Sequence, residues 1–296
     1  MDEKDWLLLQ ALRETRSITK AADALYTSQP GLTKRLQMIE ERFGTSIALR
    51  SKRGIEFTPA GEYLVSYACE MLEKLQAVHE HVNDMGSEIK GTLRVGASNY
   101  SVSYILPEIL AAFKRRHPQV EFLVIAAWSS DVARMVGSGE VHIGFIRNDN
   151  SLLPERSLLI TERTFICATK KIDLENLPDE PQIAYKSDPL VRAELNKWWA
   201  ENYKRPPKVA MVVDRLVSTV DMVLKGLGYA FLSEIMIQRM EGIYKYEVKH
   251  PDGQPYTRRT WVVPNQDAKH LRLVSGFLQF MEDNPFLSNG TLCVEG

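Results

Sequence analysis

The chain has 296 residues, which is enough for two or three domains. Its hydrophobic share of 44% is ample for packed cores, and its formal net charge of −1 makes it neutral overall. It contains no run of about eighteen apolar residues that could span a membrane, and Met1–Asp5 is too acidic to open a signal peptide, so we expect a cytoplasmic protein without a membrane partner.

The cysteines and histidines do not form a recognisable site. Cys69, Cys167 and Cys293 are far apart and give no CxxC pair, so reduced structural thiols are expected, with a redox switch as the alternative. The 6 histidines are scattered, and neither a phosphate loop nor a nucleophile elbow is present. These patterns disfavour an enzyme and predict no metal and no cofactor.

The N-terminal residues predict a helix-turn-helix. A first helix is expected from Trp6 to Arg13, and a second from Ser17 to Leu25, where Ser17 can cap the helix start. The third helix runs from Ser28 to Gly44, because Ser28 is a capping residue, Pro30 suits a first turn and Gly is the usual residue after a helix end. Its predicted buried face consists of Leu32, Leu36, Ile39 and Phe43. Two short helices joined by a tight turn are typical of proteins that place the second helix in the major groove.

Polar side chains opposite that buried face, and the hairpin that follows, predict a DNA-reading surface. The stretch from Ile47 to Thr58 predicts a hairpin with a basic tip, which is a wing able to lie along the DNA backbone. From Arg16 to Arg53 there are eight Lys or Arg against three Asp or Glu, a local charge of +5 on a neutral chain. The predicted DNA contacts are Thr19, Ser28, Gln29, Pro30, Thr33, Lys34, Arg50, Lys52 and Arg53. The alternative is a small helical domain with a solvated basic face, or a protein-binding module.

Several of these residues resemble a known family in order and spacing. They are Ala21, Ala22, Leu25, Ser28, Gln29, Pro30, Leu36, Ile39, Glu40, Phe43, Gly44, Leu49, Arg50, Thr58, Pro59, Ala60 and Gly61. The pattern resembles the N-terminal signature of LysR-type transcriptional regulators over about the first ninety residues. The sequence departs from it at Gly31, Thr33 and Ala48, where the family usually has Ala, Ser and Phe. The resemblance implies DNA binding.

A long helix is predicted from Pro59 to about Met85. Its apolar residues recur at heptad spacing, and those expected at the dimer interface are Leu64, Ala68, Met71, Leu75, Val78 and Val82. Because so narrow a stripe has no partner in its own small domain, we predict a coiled coil between two protomers; the alternative is packing on the same chain. The resemblance also implies a dimerising linker helix here. Residues Met85–Gly91 predict a hinge.

Beyond the hinge, strands and helices alternate, which predicts a mostly parallel α/β sheet. One helix is expected from Tyr104 to His117, and a strand from Phe165 to Thr169 begins the second lobe near Thr164. The order of elements resembles the effector domain of the same family, a two-lobed periplasmic-binding-protein-like fold. The predicted domains are 1–58, the winged helix-turn-helix; 59–90, the linker helix and hinge; 91–163 with 264–296, lobe I; and 164–263, lobe II.

Ligands of open α/β sheets bind beyond the carboxyl ends of the strands, so the residues there predict a site. The candidate effector contacts are Ser98, Asn99, Ser101, Ser129, Arg147, Lys186 and Arg259. Arg258 and Arg259 alternate faces on a predicted strand, so one of them should point inward. Hydroxyls at helix starts together with arginines suit a carboxylate. The alternative is that these serines only cap helices.

The amino-acid sequence also resembles that of a citrate-responsive member of the family from Gram-positive bacteria. The closest stretches are Ser28–Leu36, Gly44–Thr45, Leu49–Ser51 and Thr58–Glu62. That resemblance implies a tricarboxylate effector contacted by Ser98, Ser129, Arg147 and Arg259.

A ligand-gated DNA-binding regulator accounts for every segment of the chain. Its expected partners are double-stranded operator DNA, a small organic acid, a second copy in a homodimer or homotetramer, and RNA polymerase. The alternatives are a LysR-type regulator of another pathway with a different effector, and a solute-binding protein, which would leave the first ninety residues unexplained.

Overall fold

A computed structural model describes residues 1–51, 54–147, 155–238 and 240–284 of the chain. The chain divides into two compact units, of which the first is Met1–Met85 and the second begins at Gly86. Within the described residues, no helix combines the length and the apolar character needed to cross a bilayer.

The first unit is a winged helix-turn-helix followed by a long helix. Its elements are α1 (Glu3–Thr15), α2 (Ile18–Ala24), α3 (Gln29–Phe43), β1 (Ala48–Ser51), β2 (Gly54–Phe57) and α4 (Pro59–Asp84). Strands β1 and β2 pair antiparallel as the predicted wing. Leu8, Leu9 and Leu12 of α1 are fully buried in the core of this unit. Phe43, which was expected on the buried face of α3, is 46% exposed because it is the last residue of the helix and no described element covers it.

Local hydrogen bonds set the helix starts that the sequence predicts. The Oγ of Ser17 accepts from the Lys20 N–H, and the Oγ of Ser28 accepts from the Gly31 N–H. Helix α3 ends at Gly44, whose φ of 64° is the left-handed conformation that glycine adopts at low cost. The predicted helix-turn-helix is therefore confirmed, with α3 as its second helix.

Helix α4 corrects part of the coiled-coil prediction. Leu64 and Ala68 are 7% and 0% exposed and belong to the core of the first unit, in which α4 packs against α1. The statement that the whole stripe lacks a partner on its own chain is therefore wrong at the start of the helix. Further along, Val78 and Val82 are 57% and 61% exposed. Only this second half of the stripe remains open to another molecule.

The second unit alternates strands and helices. Its elements are β3 (Gly91–Ser98), α5 (Asn99–Tyr104), α6 (Leu106–Arg116), β4 (Val120–Ala127), α7 (Ser129–Ser138), β5 (Ile143–Arg147), β6 (Ser157–Ala168), β7 (Pro181–Tyr185), α8 (Pro189–Asn202), β8 (Lys208–Val213), α9 (Leu216–Leu224), β9 (Ala230–Ser233), α10 (Glu234–Gln238), β10 (Tyr244–Glu247), β11 (Thr257–Pro264) and α11 (Arg272–Asp283).

Two long antiparallel strands, β6 and β11, join the two lobes of this unit. In lobe I, β3 lies parallel between β4 and β5, and β11 pairs antiparallel with β5. The first half of β6 pairs with β11, whereas its second half pairs with β9 and β10 of lobe II. Strands β7 and β8 form a parallel pair in lobe II. This arrangement confirms the two-lobed α/β fold.

Two predicted elements of the second unit have different bounds in the structure. The helix expected from Tyr104 to His117 is α6, which begins at Leu106, and the short helix α5 that precedes it was not predicted. The strand expected from Phe165 to Thr169 is the end of β6, which begins at Ser157. The first half of β6 was missed because its exposed and buried residues do not alternate strictly, so the period of a half-buried strand is weak there.

Candidate effector cleft and DNA-reading surface

A cleft opens between the lobes of the second unit at the carboxyl ends of β3, β4, β5, β7 and β8. Its space, including the open mouth, is ≈ 550 Å³. Lobe I lines it with Ser98, Asn99, Tyr100, Ala127, Trp128, Ser129 and Arg147. The other lining residues are Tyr185, Lys186, Ser187, Asp188, Val191, Asp214, Arg215, Leu216 and Arg258. The position matches the general rule for ligands of open α/β sheets.

Four helices begin at this cleft. Helices α5 and α7 follow β3 and β4 from lobe I, and α8 and α9 follow β7 and β8 from lobe II. The first turn of a helix has N–H groups without intrahelical acceptors, and the helix dipole favours negative charge there. Because these starts face one space from both sides, the cleft suits an anion.

Arg258, and not Arg259, is the arginine that β11 presents to the cleft. Arg258 is buried and its Nη1 lies 3.4 Å from the Tyr185 hydroxyl, whereas Arg259 is exposed on the opposite face of the strand. One of the two arginines does point inward as predicted, but it is Arg258, whereas Arg259, the predicted effector contact, lies on the other face of the strand. Burial opposes the charged form of Arg258, but Tyr185 and Tyr256 outweigh it and raise the pKa of the guanidinium.

Arg147 lines the cleft but is already paired within the chain. Its side chain is 4% exposed, and its Nη2 lies 3.3 Å from Oε2 of Glu162, which is 2% exposed. The same nitrogen donates to the Oγ of Ser233, and the guanidinium carbon lies 3.5 Å from the ring centre of Tyr100. Arg147 was predicted as a cation that neutralises the ligand, yet in this structure its charge is met by a carboxylate of the protein.

Glu162 is the centre of a buried polar cluster that the sequence reading missed. The Tyr100 hydroxyl and the Ile235 N–H donate to its Oε1. Burial, together with the charge of Glu162, raises the pKa of Tyr100 well above its usual value against the opposing effect of Arg147, so the hydroxyl stays protonated and donates. A signal existed: Glu162 shares the buried face of β6 with Ile160 and Thr164, where a charge is expensive unless it is paired.

The predicted serines differ in position. Ser98 and Ser129 line the cleft, with Ser98 Oγ accepting from the Ser101 N–H at 3.2 Å and Ser129 Oγ accepting from the Arg147 N–H at 3.2 Å. Ser101 is fully buried with its Oγ 2.9 Å from that of Ser98, so it supports Ser98 and does not face the cleft. Asn99 and Lys186 are exposed at the cleft mouth.

The predicted DNA contacts are mostly exposed around the start of α3. These exposed residues are Thr19, Ser28, Gln29, Pro30 and Lys34. The hydroxyl oxygen of Thr33 is buried, so the expected contact through this hydroxyl is not available in this structure. Lys52 and Arg53 lie outside the described residues, as does the side chain of Arg50.

One basic residue between Arg16 and Arg53, Arg35, forms ion pairs that stabilise the fold. Nε of Arg35 donates to Asp5 at 2.7 Å, and Arg35 is also ion-paired with Asp2 at the start of α1. These contacts fix α3 against the start of α1. Part of the local positive charge counted from the sequence is therefore neutralised.

A winged helix-turn-helix followed by a two-lobed domain with a ligand cleft defines the class of ligand-responsive DNA-binding regulators. The sequence profile of the LysR substrate binding domain matches residues 86–285, and that of the bacterial regulatory helix-turn-helix protein, lysR family, matches residues 4–62. The chain belongs to the LysR family of transcriptional regulators.

Known proteins resemble the chain over nearly its full length. The HTH-type transcriptional regulator YraN of Bacillus subtilis is 38% identical, with 95% of this chain and 98% of YraN covered. YkuM of the same organism is 31% identical, with 94% and 98% covered. Full-length CbnR, solved with its target DNA, aligns with a TM-score of 0.67 over 96% of this chain and 99% of CbnR. Its identity is 18%, so that likeness bears on the fold alone.

Proposed function

We propose that this LysR-family regulator binds operator DNA as a dimer and that a small organic anion in the interlobe cleft, citrate first, switches its operator binding. The observation that carries the effector proposal is the meeting of four helix starts with the buried Arg258 at one cleft. First-turn N–H groups and a guanidinium are the donors that carboxylates prefer.

Citrate is the first candidate because the sequence resembles catabolite control protein C, a citrate-responsive regulator of Gram-positive bacteria. Three carboxylates need several donors from different directions. Ser98 and Ser129 supply hydroxyls from lobe I, Lys186 supplies an ammonium group from lobe II, and Arg258 takes the role first assigned to Arg259. Arg147 enters this set only if it changes its partner.

A second candidate is an effector that carries an amino group beside its carboxylate. Asp188 and Asp214 line the same cleft as Arg215 and Arg258. A ligand with both charges would meet a carboxylate as well as a guanidinium, whereas citrate has no cation to offer these aspartates.

Operator binding is assigned to the exposed start of α3 and to the wing. Gln29 and Lys34 can reach base edges or phosphates from that position. CbnR, the structural relative solved with its target DNA, supports this assignment by its fold. The open part of α4, with Val78 and Val82, is proposed as the dimer contact, and two-fold symmetry then implies an operator with inverted half-sites.

In the proposed switch, ligand binding changes the angle between the two lobes. The connection Met85–Gly91 carries that change to α4, which sets the spacing of the two reading heads. Such a mechanism requires the ligand to bind one arrangement of the lobes more tightly than the other, because equal affinity for both would shift nothing.

Thermal unfolding of the full chain with a panel of organic acids and amino acids tests the effector proposal. Citrate should raise the unfolding midpoint in proportion to the logarithm of its concentration above Kd. A midpoint that rises only with amino acids would select the second candidate. Unchanged midpoints with every compound, together with no heat in titration calorimetry, would contradict an anion-binding cleft.

A further inference from the structure

The buried Arg147–Glu162 ion pair connects elements of both lobes directly beneath the cleft. Arg147 ends β5 and Tyr100 lies in α5, both in lobe I, whereas Ser233 ends β9 and Ile235 lies in α10, both in lobe II. Glu162 lies on β6, which runs through both lobes. Each of these side chains is less than 9% exposed. The side chain of Arg147 alone contacts Tyr100, Glu162 and Ser233, so it joins the lobes at their base.

The ion pair with Glu162 uses only part of the Arg147 guanidinium. Among the described residues, the contact to the carboxylate is a single one of 3.3 Å from Nη2 and not the two-pronged fork that arginine forms with carboxylates in its strongest pairs. Its Nε is buried and has no hydrogen-bond partner in the described part of the chain. Arg147 therefore retains donor capacity at a position that lines the cleft.

Glu162 keeps other partners if Arg147 leaves. Its Oε1 accepts from the Tyr100 hydroxyl and from the Ile235 N–H at 3.4 Å, neither of which belongs to Arg147. Hydrogen bonds to a carboxylate favour its charged form. The carboxylate is thus anchored independently of the arginine, and a change of partner by Arg147 does not leave Glu162 without donors.

We propose that Glu162 is a built-in competitor of the effector: a ligand carboxylate takes the Arg147 guanidinium from Glu162, and this exchange releases the link between the lobes. Exchange is favoured over simple addition because two carboxylates on one guanidinium, in a site shielded from water, repel each other strongly. The exchange supplies the preference for one lobe arrangement that a ligand-driven switch requires. The inference rests on the proposed anionic effector.

The decisive variant is Glu162→Gln, which keeps the shape of the side chain and removes the competing charge. The matched control is Glu234→Gln, because Glu234 pairs with Arg163 at the surface and does not line the cleft. Full-length parent, variant and control are titrated with citrate and with inorganic sulfate, by calorimetry and by thermal unfolding. Sulfate serves as a small anion independent of the citrate assignment, and the control corrects for the general stabilisation that sulfate gives proteins.

Glu162→Gln should bind the anion at least about tenfold more tightly than the parent, whereas Glu234→Gln should match the parent. The double variant Arg147→Gln/Glu162→Gln should lose this gain, because the guanidinium that receives the anion is gone. Equal or weaker binding by Glu162→Gln would overturn the proposal, since Glu162 would then only hold Arg147 in position for the ligand.

The two proposals fail in different ways. Citrate that binds the parent and Glu162→Gln equally leaves the effector assignment in place and overturns the exchange. If Glu162→Gln binds sulfate more tightly than its control does, and citrate gives no heat with any of the proteins, the exchange is supported and citrate is excluded as the effector. If Glu162→Gln does not fold, Glu162→Asp replaces it: the shorter carboxylate reaches Arg147 less well and should give a smaller gain of the same sign, and an unchanged or lower affinity would overturn the proposal.

Discussion

The two units of this regulator assemble their functional surfaces in different ways. In the first unit, the exposed residues around the start of α3 come from one short stretch, Thr19–Lys34, and a capped helix brings them to one side. In the second unit, the cleft is lined by residues from Ser98 to Arg258, which the sheet topology brings together. A contiguous surface can be read from helix periodicity, whereas a dispersed one depends on strand register and on partners far away in the chain.

Two arginines of the second unit illustrate this difference. Arg258 and Arg259 are neighbours of identical chemistry, and only the pairing of β11 with β6 decides which one is buried at the cleft. Arg147 was correctly placed at the cleft, but its ion pair depends on Glu162 from the next strand along the chain. In the first unit, the nearest equivalent is Arg35, whose partners Asp2 and Asp5 were likewise invisible to a reading of the helix-turn-helix alone.

The largest effect is expected from Val82→Glu in the open half of α4. Burying a valine contributes about 1.5–3 kcal/mol, and a two-fold interface loses this contribution twice while it takes up two buried charges. The variant should sediment as a monomer, and because Val82 is 61% exposed within the chain, the substitution should not disturb the core of its own unit. The control is Ala77→Glu, an exposed position of the same helix off the apolar stripe, which should stay dimeric. A dimeric Val82→Glu would place the interface elsewhere.

Arg258→Ala should weaken effector binding by about 2–5 kcal/mol, the range for removing one partner of a desolvated charge pair. Arg259→Ala should leave the effector affinity unchanged, because that side chain is on the opposite, exposed face of β11. Titration calorimetry with the effector found in the thermal screen compares the two variants. Equal losses in both would mean that the register of β11 does not select the ligand-binding arginine.

Gln29→Ala should relax operator preference by about 1–3 kcal/mol, as expected for a lost base contact. Effector affinity should be unchanged, because Gln29 lies in the first unit and the cleft lies wholly in the second. Fluorescence anisotropy with operator and scrambled duplexes measures the preference. A variant that discriminates between the two duplexes as well as the parent does would remove Gln29 from the reading surface.

The smallest effect is expected from Gly137→Ala near the end of α7. An added Cβ at this position meets nothing within 4 Å, and replacing such a glycine stabilises by about 0.4–1 kcal/mol through the unfolded chain. Gly61→Ala in the first unit should instead destabilise the protein, because the added Cβ would lie 2.0 Å from the carbonyl oxygen of Ile47. Chemical denaturation should show the second unit stabilised in the former variant and the first unit destabilised in the latter. A stable Gly61→Ala protein would contradict the packing of α4 under the wing.

The sequence was sufficient for most elements and for the starts of α2 and α3, because these depend on residues a few positions apart, but the short helices α5 and α10 were not predicted. It failed where tertiary contacts decide. Phe43 has the spacing of a buried residue but is exposed at the end of its helix. Leu64 and Ala68 are the first residues of the heptad stripe, yet they are buried in the core of their own unit. The Glu162 cluster was missed because Glu162 precedes the predicted strand Phe165–Thr169 and because its partners come from other elements of the fold.

An anion held by Arg258 in the second unit is expected to change DNA binding by the first. The most direct test measures the operator Kd of the full-length protein with and without saturating effector, for the parent and for Arg258→Ala. The operator Kd of the parent should change when the effector is added, whereas that of the variant should stay at the ligand-free value. An effector that binds the parent in calorimetry but leaves its operator Kd unchanged would contradict the proposed switch.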